Sequence, residues 1–407
     1  MKFFLTLMLV FIFCSCTNKQ GPKKASLSQE FFNIDFEEIL DNKKQINLSH
    51  VASNVEYIKL ETNDSCLIRP VVNYFFTDSL IFVQNYDHIL KFDRKGKFLQ
   101  KIGKAGRGPG EIDLIRIMSI NPQKRLLAVQ PNFKRELLFF NFDGEFVKTV
   151  KFPVHHDLIK VLANDQYLIY DSGFAGNEAY SFILVNEKWD PLSTVENYTK
   201  WIHNSRSYIG RSYPEFKEFF IANDQLYLKA MYNDTVYTIE SVQIKPSYFI
   251  NLGKYKLPEE LRPERLGIER IKKFKDHINE YYFSIVNEAS NKIFLRAWDY
   301  GETDNKYVLF DKLNKQGALL TLDGGESKGF VNDWDGGIDF WPIGNINDNQ
   351  VYMPIVVMNF HKALEENKTR EISPKYPERK KQLADMVSSL DVLANPILMV
   401  ITLKNDK

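Results

Sequence analysis

The chain has 407 residues, and its nearly balanced charge limits the kinds of partner it favours. It has 53 basic and 52 acidic side chains, and its formal net charge of +1 at pH 7 points neither to nucleic acid nor to an acidic surface. At 44% hydrophobic and 14% aromatic residues, the composition is sufficient for a large apolar core.

The first sixteen residues have the pattern of a bacterial lipoprotein signal. Lys2 precedes the apolar run Phe3–Phe13, which is too short to span a bilayer and is followed by no stop-transfer pattern. A small residue and Cys16 then resemble a lipobox, although Phe13 stands where an aliphatic residue is more usual. We therefore predict a signal peptide over residues 1–15, lipidation of Cys16 and attachment to a bacterial envelope membrane, with the outer membrane expected. The alternative is an ordinary signal peptide cut near the same place.

A polar tether and a single domain are expected after Cys16. Residues 17–24 are too polar to fold, so residues 16–30 are predicted to form a flexible tether. Once Cys14 is removed with the signal and Cys16 is acylated, Cys66 remains alone and no internal disulfide can form. The domain over residues 31–407 must then be held together by its core.

A cassette that recurs after 48 residues predicts the fold. Phe92-Asp-x-x-Gly-x-Phe98 and Phe140-Asn-x-x-Gly-x-Phe146 each lie between two apolar runs, and Val185-Asn-x-x-Trp189 is a less regular copy. A repeat of this period built from short strands is typical of a β-propeller blade. Six cycles of strands separated by Gly, Asn and Asp follow one another: Val71–Ile102, Leu114–Val150, Leu158–Leu192, Glu218–Leu252, Tyr281–Leu322, and a sixth that ends with Ile397–Leu403.

One strand and two helices complete the predicted fold. Val55–Leu60 has no partner near the first cycle, so we expect it to join the last blade and close the ring. Helical insertions are predicted over Pro258–Glu280 and after Pro377, where Leu383, Met386, Val387, Leu390 and Leu393 follow helical spacing. The predicted fold is an all-β, six-bladed β-propeller with two short helical insertions.

The segment that follows the first cassette carries a family resemblance. Phe92–Gly103, followed by Gly106–Glu111, resembles the six-bladed β-propeller lipoproteins of Bacteroidetes, as do Tyr57–Glu61 and Asp335–Pro342. The resemblance covers roughly Phe31 to Leu403. It implies an exported, lipid-anchored propeller related in shape to NHL and TolB-type propellers, and it implies no catalytic residues.

Strand alternation predicts which loops share one mouth of the ring. In a blade with strands A to D, the B–C loops and the D–A connections between blades lie on the same face. The predicted ligand contacts on that face are Arg107, Glu111, Trp298, Asp299 and Trp334. The tryptophans would stack on a sugar or a peptide, or would simply belong to the core.

The glycine-rich loop Gly103–Glu111 does not have the pattern of a phosphate loop. No Gly-Lys-Ser/Thr ending is present, and a strand follows instead of the helix that a phosphate needs. A structural role is favoured, in which glycines allow positive φ and Glu111 accepts backbone N–H groups. Arg107 is the residue expected to project into the mouth.

Three carboxylates near Trp334 suggest a cation site. Asp333, Asp335 and Asp339 would suit Ca²⁺, although turn-forming aspartates beside two glycines explain the same pattern more simply.

A non-enzymatic binding or scaffolding module on the membrane is the leading functional hypothesis, with a protein or a glycan as partner. The alternatives are a metal-dependent enzyme of the lactonase or lyase kind with its site in the channel, and a surface glycan-binding protein. The sequence contains no HExxH, Gly-x-Ser-x-Gly or Cys-x-x-Cys pattern.

Overall fold

In the computed structural model, the first two cassettes form the same turn between the last two strands of a blade. Asp93 Oδ1 accepts two backbone N–H groups of its turn at 2.9 Å each, and Asn141 Oδ1 accepts two at 3.0 and 2.9 Å. Gly96 and Gly144 complete the turns at φ of 87° and 85°, where a side chain would be strained. The cassette is therefore a turn closed by an Asp or Asn side chain.

The third cycle builds the same turn from its less regular cassette. Asn186 Oδ1 accepts two backbone N–H groups of the turn at 2.9 Å each. Trp189 stands where the other cassettes have glycine and adopts a φ of 69°, which is costly for a bulky residue. Its ring stacks on that of Tyr167 with centroids 4.5 Å apart, and this contact offsets part of the cost.

Six blades follow one another around a ring. The structure describes residues 31–69, 73–132, 134–153, 157–171, 177–200, 217–262, 275–322, 325–326, 328–366 and 372–405. The N-terminal segment contributes β1 (Phe32–Asp35), α1 (Phe36–Asp41), β2 (Lys43–Lys44), α2 (Leu48–Val51) and β3 (Ala52–Lys59).

The first three blades each consist of four antiparallel strands, ordered from the channel outward. Blade 1 comprises β4 (Asn73–Phe76), β5 (Leu80–Gln84), β6 (Ile89–Asp93) and β7 (Phe98–Ile102). Blade 2 comprises β8 (Ile115–Asn121), β9 (Leu126–Pro131), β10 (Glu136–Asn141) and β11 (Phe146–Lys151). Blade 3 comprises β12 (Leu158–Val161), β13 (Tyr167–Tyr170), β14 (Tyr180–Val185) and β15 (Pro191–Glu196).

The last three blades each contain strands from the N-terminal segment. Blade 4 comprises β16 (Phe219–Ala222), β17 (Gln225–Lys229), β18 (Thr235–Glu240) and β19 (Gln243–Asn251), with β1 on its outer edge. Blade 5 comprises β20 (Tyr282–Ala289), β21 (Lys292–Asp299), β22 (Asn305–Asp311) and β23 (Gln316–Leu322), with β2 on its edge and β24 (Gly325–Glu326) paired to β23. Blade 6 comprises β25 (Gly344–Asn347), β26 (Gln350–Ile355), β27 (Ile397–Leu403) and β3.

The ring closes as predicted, by pairing of the first and last parts of the domain. β3 pairs antiparallel with β27, with Lys59 opposite Ile397 and Val55 opposite Ile401. Gly96 packs against the end of this strand, because a Cβ at that position would lie only 2.0 Å from the Lys59 carbonyl oxygen. The predicted six-bladed propeller closed by an N-terminal strand is therefore confirmed.

The core lies between the blades. Each pair of neighbouring blades shares a cluster of buried apolar side chains, such as Phe82, Ile112 and Phe140 between blades 1 and 2. Ile159 and Phe139 belong to the cluster between blades 2 and 3. Since every sheet is buried against the next one, the inner strands leave only their channel-facing side chains in contact with water.

The N-terminal segment makes contacts that the sequence did not predict. β1 pairs parallel with β19, and β2 pairs parallel with β23. Asp35 Oδ1 accepts the Glu38 N–H at 3.1 Å and so caps α1 between these two strands. The segment therefore covers the outer edges of blades 4 and 5 before it enters blade 6.

Two helices lie between β26 and β27, namely α3 (Val357–Glu366) and α4 (Pro377–Ser388). α4 is the helix predicted after Pro377, and Leu383 and Val387 are buried as expected. Leu393 is 84% exposed beyond the helix end, so the prediction that it shares the apolar face is wrong. α3 was not predicted.

The predicted insertion Pro258–Glu280 begins with a short 3-10 turn, Glu259–Leu261. Residues 263–274 of that insertion lie outside the described residues. A second 3-10 turn spans Gly253–Tyr255. Within the described ranges, no helix is long and apolar enough to cross a membrane.

Candidate functional site

The inner strands of the six blades enclose a cavity that runs along the ring axis. Its volume is about 1310 Å³, which exceeds the roughly 300–1,000 Å³ of a typical small-molecule pocket. Arg69 and Glu218 line it near the mouth formed by the D–A connections, and Asp78 and Asp224 line it near the A–B turns at the other end. This channel is the candidate functional site.

Neighbouring blades place several charged side chains on one wall of the channel. Arg116 of β8, Lys160 of β12 and Glu218, which directly precedes β16, come from blades 2, 3 and 4. Arg116 Nη2 lies 3.1 Å from Asp157 Oδ1, so the charge of this arginine is balanced within the wall. Both side chains of that pair remain partly exposed.

Lys160 lies in the channel because of its place in a short strand. Leu158 and Lys160 both line the cavity, whereas Ile159 between them is buried in the cluster shared by blades 2 and 3. Burial lowers the pKa of Lys160 to about 8. Among the described residues, no hydrogen bond or ion pair to its Nζ is found. The ammonium group therefore faces the channel without a protein partner within this part of the chain.

Glu218 has the opposite shift at the mouth of the channel. Burial is the main cause that raises its pKa to about 7, and the negative charge of Asp157 adds to it, while Arg116 acts against it. Its backbone carbonyl accepts the Lys229 N–H at 3.0 Å, which fixes the residue at the start of blade 4. Near neutral pH this carboxyl group is therefore only partly ionised.

The wall formed by blades 1 and 6 presents apolar side chains to the channel beside charged ones such as Arg69, Arg94 and Asp78. Six of its partly or fully exposed lining residues are Phe75, Phe76, Ile343, Ile346, Pro354 and Val356. The channel thus offers a charged wall and an apolar wall to the same space. Such convergence of a few polar groups with apolar surface is typical of ligand sites.

The loops predicted to share one mouth occupy the expected connections. Residues 103–114 join β7 to β8, and residues 132–135 and 171–179 join the second and third strands of their blades. None of the five predicted contact residues nevertheless lines the channel.

Arg107 and Glu111 lie in the glycine-rich connection, and neither lines the channel. Glu111 Oε2 accepts the Gly108 N–H at 2.9 Å, and its Oε1 accepts a hydrogen bond from Lys104 Nζ at 2.8 Å. The Lys104 hydrogen bond is the main cause that lowers the pKa of Glu111. The Arg107 side chain is exposed, and Lys134 Nζ lies 3.4 Å from its backbone carbonyl oxygen. These contacts agree with the structural role favoured for the loop.

Trp298 and Asp299 end strand β21, also outside the channel lining. The Trp298 ring lies 6.0 Å from that of Phe283, and the Arg296 guanidinium lies 4.7 Å from its centroid. Asp299 is fully buried and accepts the N–H groups of Thr303 and Asp304 at 2.8 and 2.9 Å. Asp299 therefore shapes the turn that follows the strand.

The predicted calcium ligands accept hydrogen bonds from protein groups. Asp333 accepts the Ser49 N–H at 2.8 Å, Asp335 accepts the Asn332 side-chain amide at 2.9 Å, and Asp339 accepts the Asn332 N–H at 3.1 Å. In the part of the chain that the structure describes, no group of three or more His, Cys, Asp and Glu residues is arranged to hold a metal ion. The three aspartates therefore do not form a common cation site.

Trp334 is buried between its neighbours instead of facing a mouth. Its exposed fraction is 4%, its ring lies 4.9 Å from that of Tyr376, and Lys375 Nζ lies 5.0 Å from its centroid. The core alternative for this tryptophan is therefore supported. Cys16, the predicted lipidation site, lies outside the described residues.

Sequence reasoning missed Lys160 and Arg116 and used Glu218 only to mark the start of a cycle. A lysine or an arginine that alternates with apolar residues normally indicates a solvent-facing strand position. The first strand of each cycle lines the channel, so its polar positions were the signal that would have found these residues.

Comparison with known proteins identifies the family. A domain family of unknown function, DUF4934, matches residues 31–402. No curated protein matches the chain in sequence. A Bacteroides fragilis protein described as exported has a crystal structure that aligns with a TM-score of 0.68 and 15% identity, over 92% of this chain and 100% of that one.

A DUF4221 family member from Bacteroides vulgatus aligns with a TM-score of 0.44 and 11% identity, over 88% of this chain and 98% of that one. At 15% identity, the likeness to the Bacteroides fragilis structure shows the fold alone. The family match covers nearly all of the blades described above. The chain belongs to the DUF4934 family.

Proposed function

We propose that this protein is a non-catalytic ligand-binding propeller, exported and held on a bacterial envelope membrane by a lipid on Cys16. The observation that carries the binding role is the channel of about 1310 Å³, into which Lys160 projects an ammonium group that no described side chain balances. An unpaired charge in a partly buried position lowers the stability of the fold. Such charges are common at binding sites, where a ligand supplies the missing partner.

Export and anchoring are supported by the signal-like N-terminus and by the resemblance to Bacteroidetes propeller lipoproteins of NHL and TolB-like shape. The description of the Bacteroides fragilis neighbour as exported agrees with this location. The outer membrane is the membrane we propose for the anchor.

The binding role is tested by blocking the channel. Ile221 lines the channel and is 52% exposed, whereas Val242 of the same blade is 45% exposed on the turn between β18 and β19 and does not line it. The full chain is purified in detergent and screened against a small-molecule library for ligands that raise its melting temperature. We expect such ligands to act on the wild type and on Val242→Trp but not on Ile221→Trp. The binding role is contradicted if no ligand loses its effect on the melting temperature in the Ile221→Trp variant.

The anchor is tested by the Cys16→Ala variant. Wild-type protein is expected in the membrane fraction with a lipid detectable by mass spectrometry of its N-terminal peptide. The variant is expected to lose the lipid and to leave that fraction. Unmodified Cys16 in mature wild-type protein would disprove the anchor.

A further inference from the structure

The two walls of the channel together restrict the chemistry of a ligand. Arg116, Lys160 and Glu218 supply the charged wall, and residues such as Ile346 and Pro354 supply the apolar one. A ligand that contacts both walls needs an apolar body as well as a charged group, because an unpaired polar group and an unfilled apolar surface both weaken binding.

The charges on the wall determine whether the charged group of the ligand is positive or negative. Arg116 is already paired with Asp157 at 3.1 Å. Glu218 lies near this pair and is only partly ionised near neutral pH, as its pKa of about 7 indicates. Lys160 is mostly protonated at pH 7, because its pKa is about 8. Of the wall residues Arg116, Lys160 and Glu218, Lys160 is therefore the one whose positive charge has no counter-ion among the described residues.

The pairing of Arg116 with Asp157 also limits the kind of anion that this wall holds. Phosphate and sulfate groups are usually held by several donors at once, often by the two parallel donors of an arginine. Here the neighbouring arginine is engaged by its own carboxylate, so one monovalent acid group matches the wall better than a dianion.

Building on the proposed channel-binding function, we propose that the channel takes a small organic monoacid with an aromatic or aliphatic body. Its carboxylate pairs with Lys160 Nζ, and its body lies on the apolar wall of blades 1 and 6. Binding then gives the Lys160 ammonium group a charged partner.

A pair of probes that differ only in charge tests this site. 2-Naphthoate and its neutral analogue 2-naphthamide are titrated calorimetrically into the full chain in detergent, with detergent alone as the blank. We expect naphthoate to bind at least about tenfold more tightly than the amide, as the loss of a charge-assisted hydrogen bond implies. Lys160→Met should abolish this preference without weakening amide binding, and Lys160→Arg should retain the preference.

Blocking the channel separates failure of the acid site from failure of the binding role. Ile221→Trp should abolish binding of both probes, and Val242→Trp should leave both unchanged. If the wild type binds both probes equally, or if the preference survives Lys160→Met, the acid site is wrong while channel binding stands. If the wild type binds neither probe, the acid site is also wrong, and the library screen still decides the binding role. If Ile221→Trp binds both probes, the channel is not where they bind.

Discussion

The aspartates of residues 333–339 and the charged side chains of the channel differ in what surrounds them. Asp335 is 1% exposed and accepts hydrogen bonds from Tyr57 Oη, Asn332 Nδ2 and the Gly337 N–H at 3.1, 2.9 and 3.1 Å. Lys160 has a shifted pKa and no such partner within the described chain. The fold holds Asp335 through three donors to its Oδ1, whereas it leaves the Lys160 ammonium group in the channel available to a ligand.

The largest expected effect is the loss of stability in the Asp335→Ala variant. The substitution removes the acceptor of the hydrogen bonds from Tyr57 Oη, Asn332 Nδ2 and the Gly337 N–H, so we expect the free energy of unfolding to fall by about 3 kcal/mol. Urea denaturation of the wild type and the variant measures the change. Asp335→Asn keeps a carbonyl acceptor and should cost clearly less. A loss below about 1 kcal/mol for Asp335→Ala would remove the contrast between the two regions.

A gain of stability is expected for Lys160→Met. The folded-state pKa of about 8 lies below the ordinary value of 10.5, so the fold disfavours the charged lysine. With 1.36 kcal/mol per pKa unit and a reduction for channel water, the variant should be about 1–3 kcal/mol more stable at pH 7. The gain should be complete below pH 8 and should fade as the pH rises toward 10.5.

Urea denaturation at pH 7 and at pH 10 measures this pH dependence. Lys160→Arg serves as the control, because arginine stays charged at both pH values and should give no gain. A destabilised Lys160→Met variant at pH 7 would mean that the lysine has a stabilising partner after all.

Glu218→Gln should also increase the free energy of unfolding, but at high pH, whereas Lys160→Met does so at low pH. The folded-state pKa of about 7 lies above the ordinary value of 4.5, so the fold favours the protonated carboxyl and loses stability as the pH rises from 4.5 through 7. We expect the variant to be about 1–2 kcal/mol more stable at pH 8 and to show no gain at pH 4.5. Equal effects at the two pH values would contradict the shifted pKa.

The smallest effect is expected for Arg107→Ala. This side chain is exposed on the glycine-rich connection, so the free energy of unfolding should change by less than about 0.5 kcal/mol. Naphthoate binding should also be unchanged, since Arg107 does not line the channel. A tenfold loss of naphthoate binding would mean that Arg107 does contact the ligand.

Most of the propeller was predictable because its repeat is local. Asp93 and Asn141 build their turns within five residues, and each cycle of strands pairs with itself in chain order. β1 and β2 were missed because they are short, partly polar and stabilised by parallel pairing with distant strands. Patterning within a segment carries no signal for such an edge partner.

The site was less predictable because its geometry exists only in the closed ring. Trp334 and the three aspartates were predicted as site residues because of their residue types. In the structure they contact other residues of the propeller instead. Lys160 looked like an ordinary solvent-facing residue of a strand. Only the arrangement of six inner strands around one axis places it, Arg116 and Glu218 in a common space.

The pairing of the N-terminal segment with three successive blades has a mechanical consequence. A force that pulls on the chain before Phe31 meets the pairing of β1 with β19 first, the pairing of β2 with β23 next, and the long pairing of β3 with β27 last. The pairing of β2 involves two exposed residues and can open locally at a lower free energy than the ring, whereas β1 is also held by the buried Ile34. Both pairings are loaded before the strand that closes the propeller.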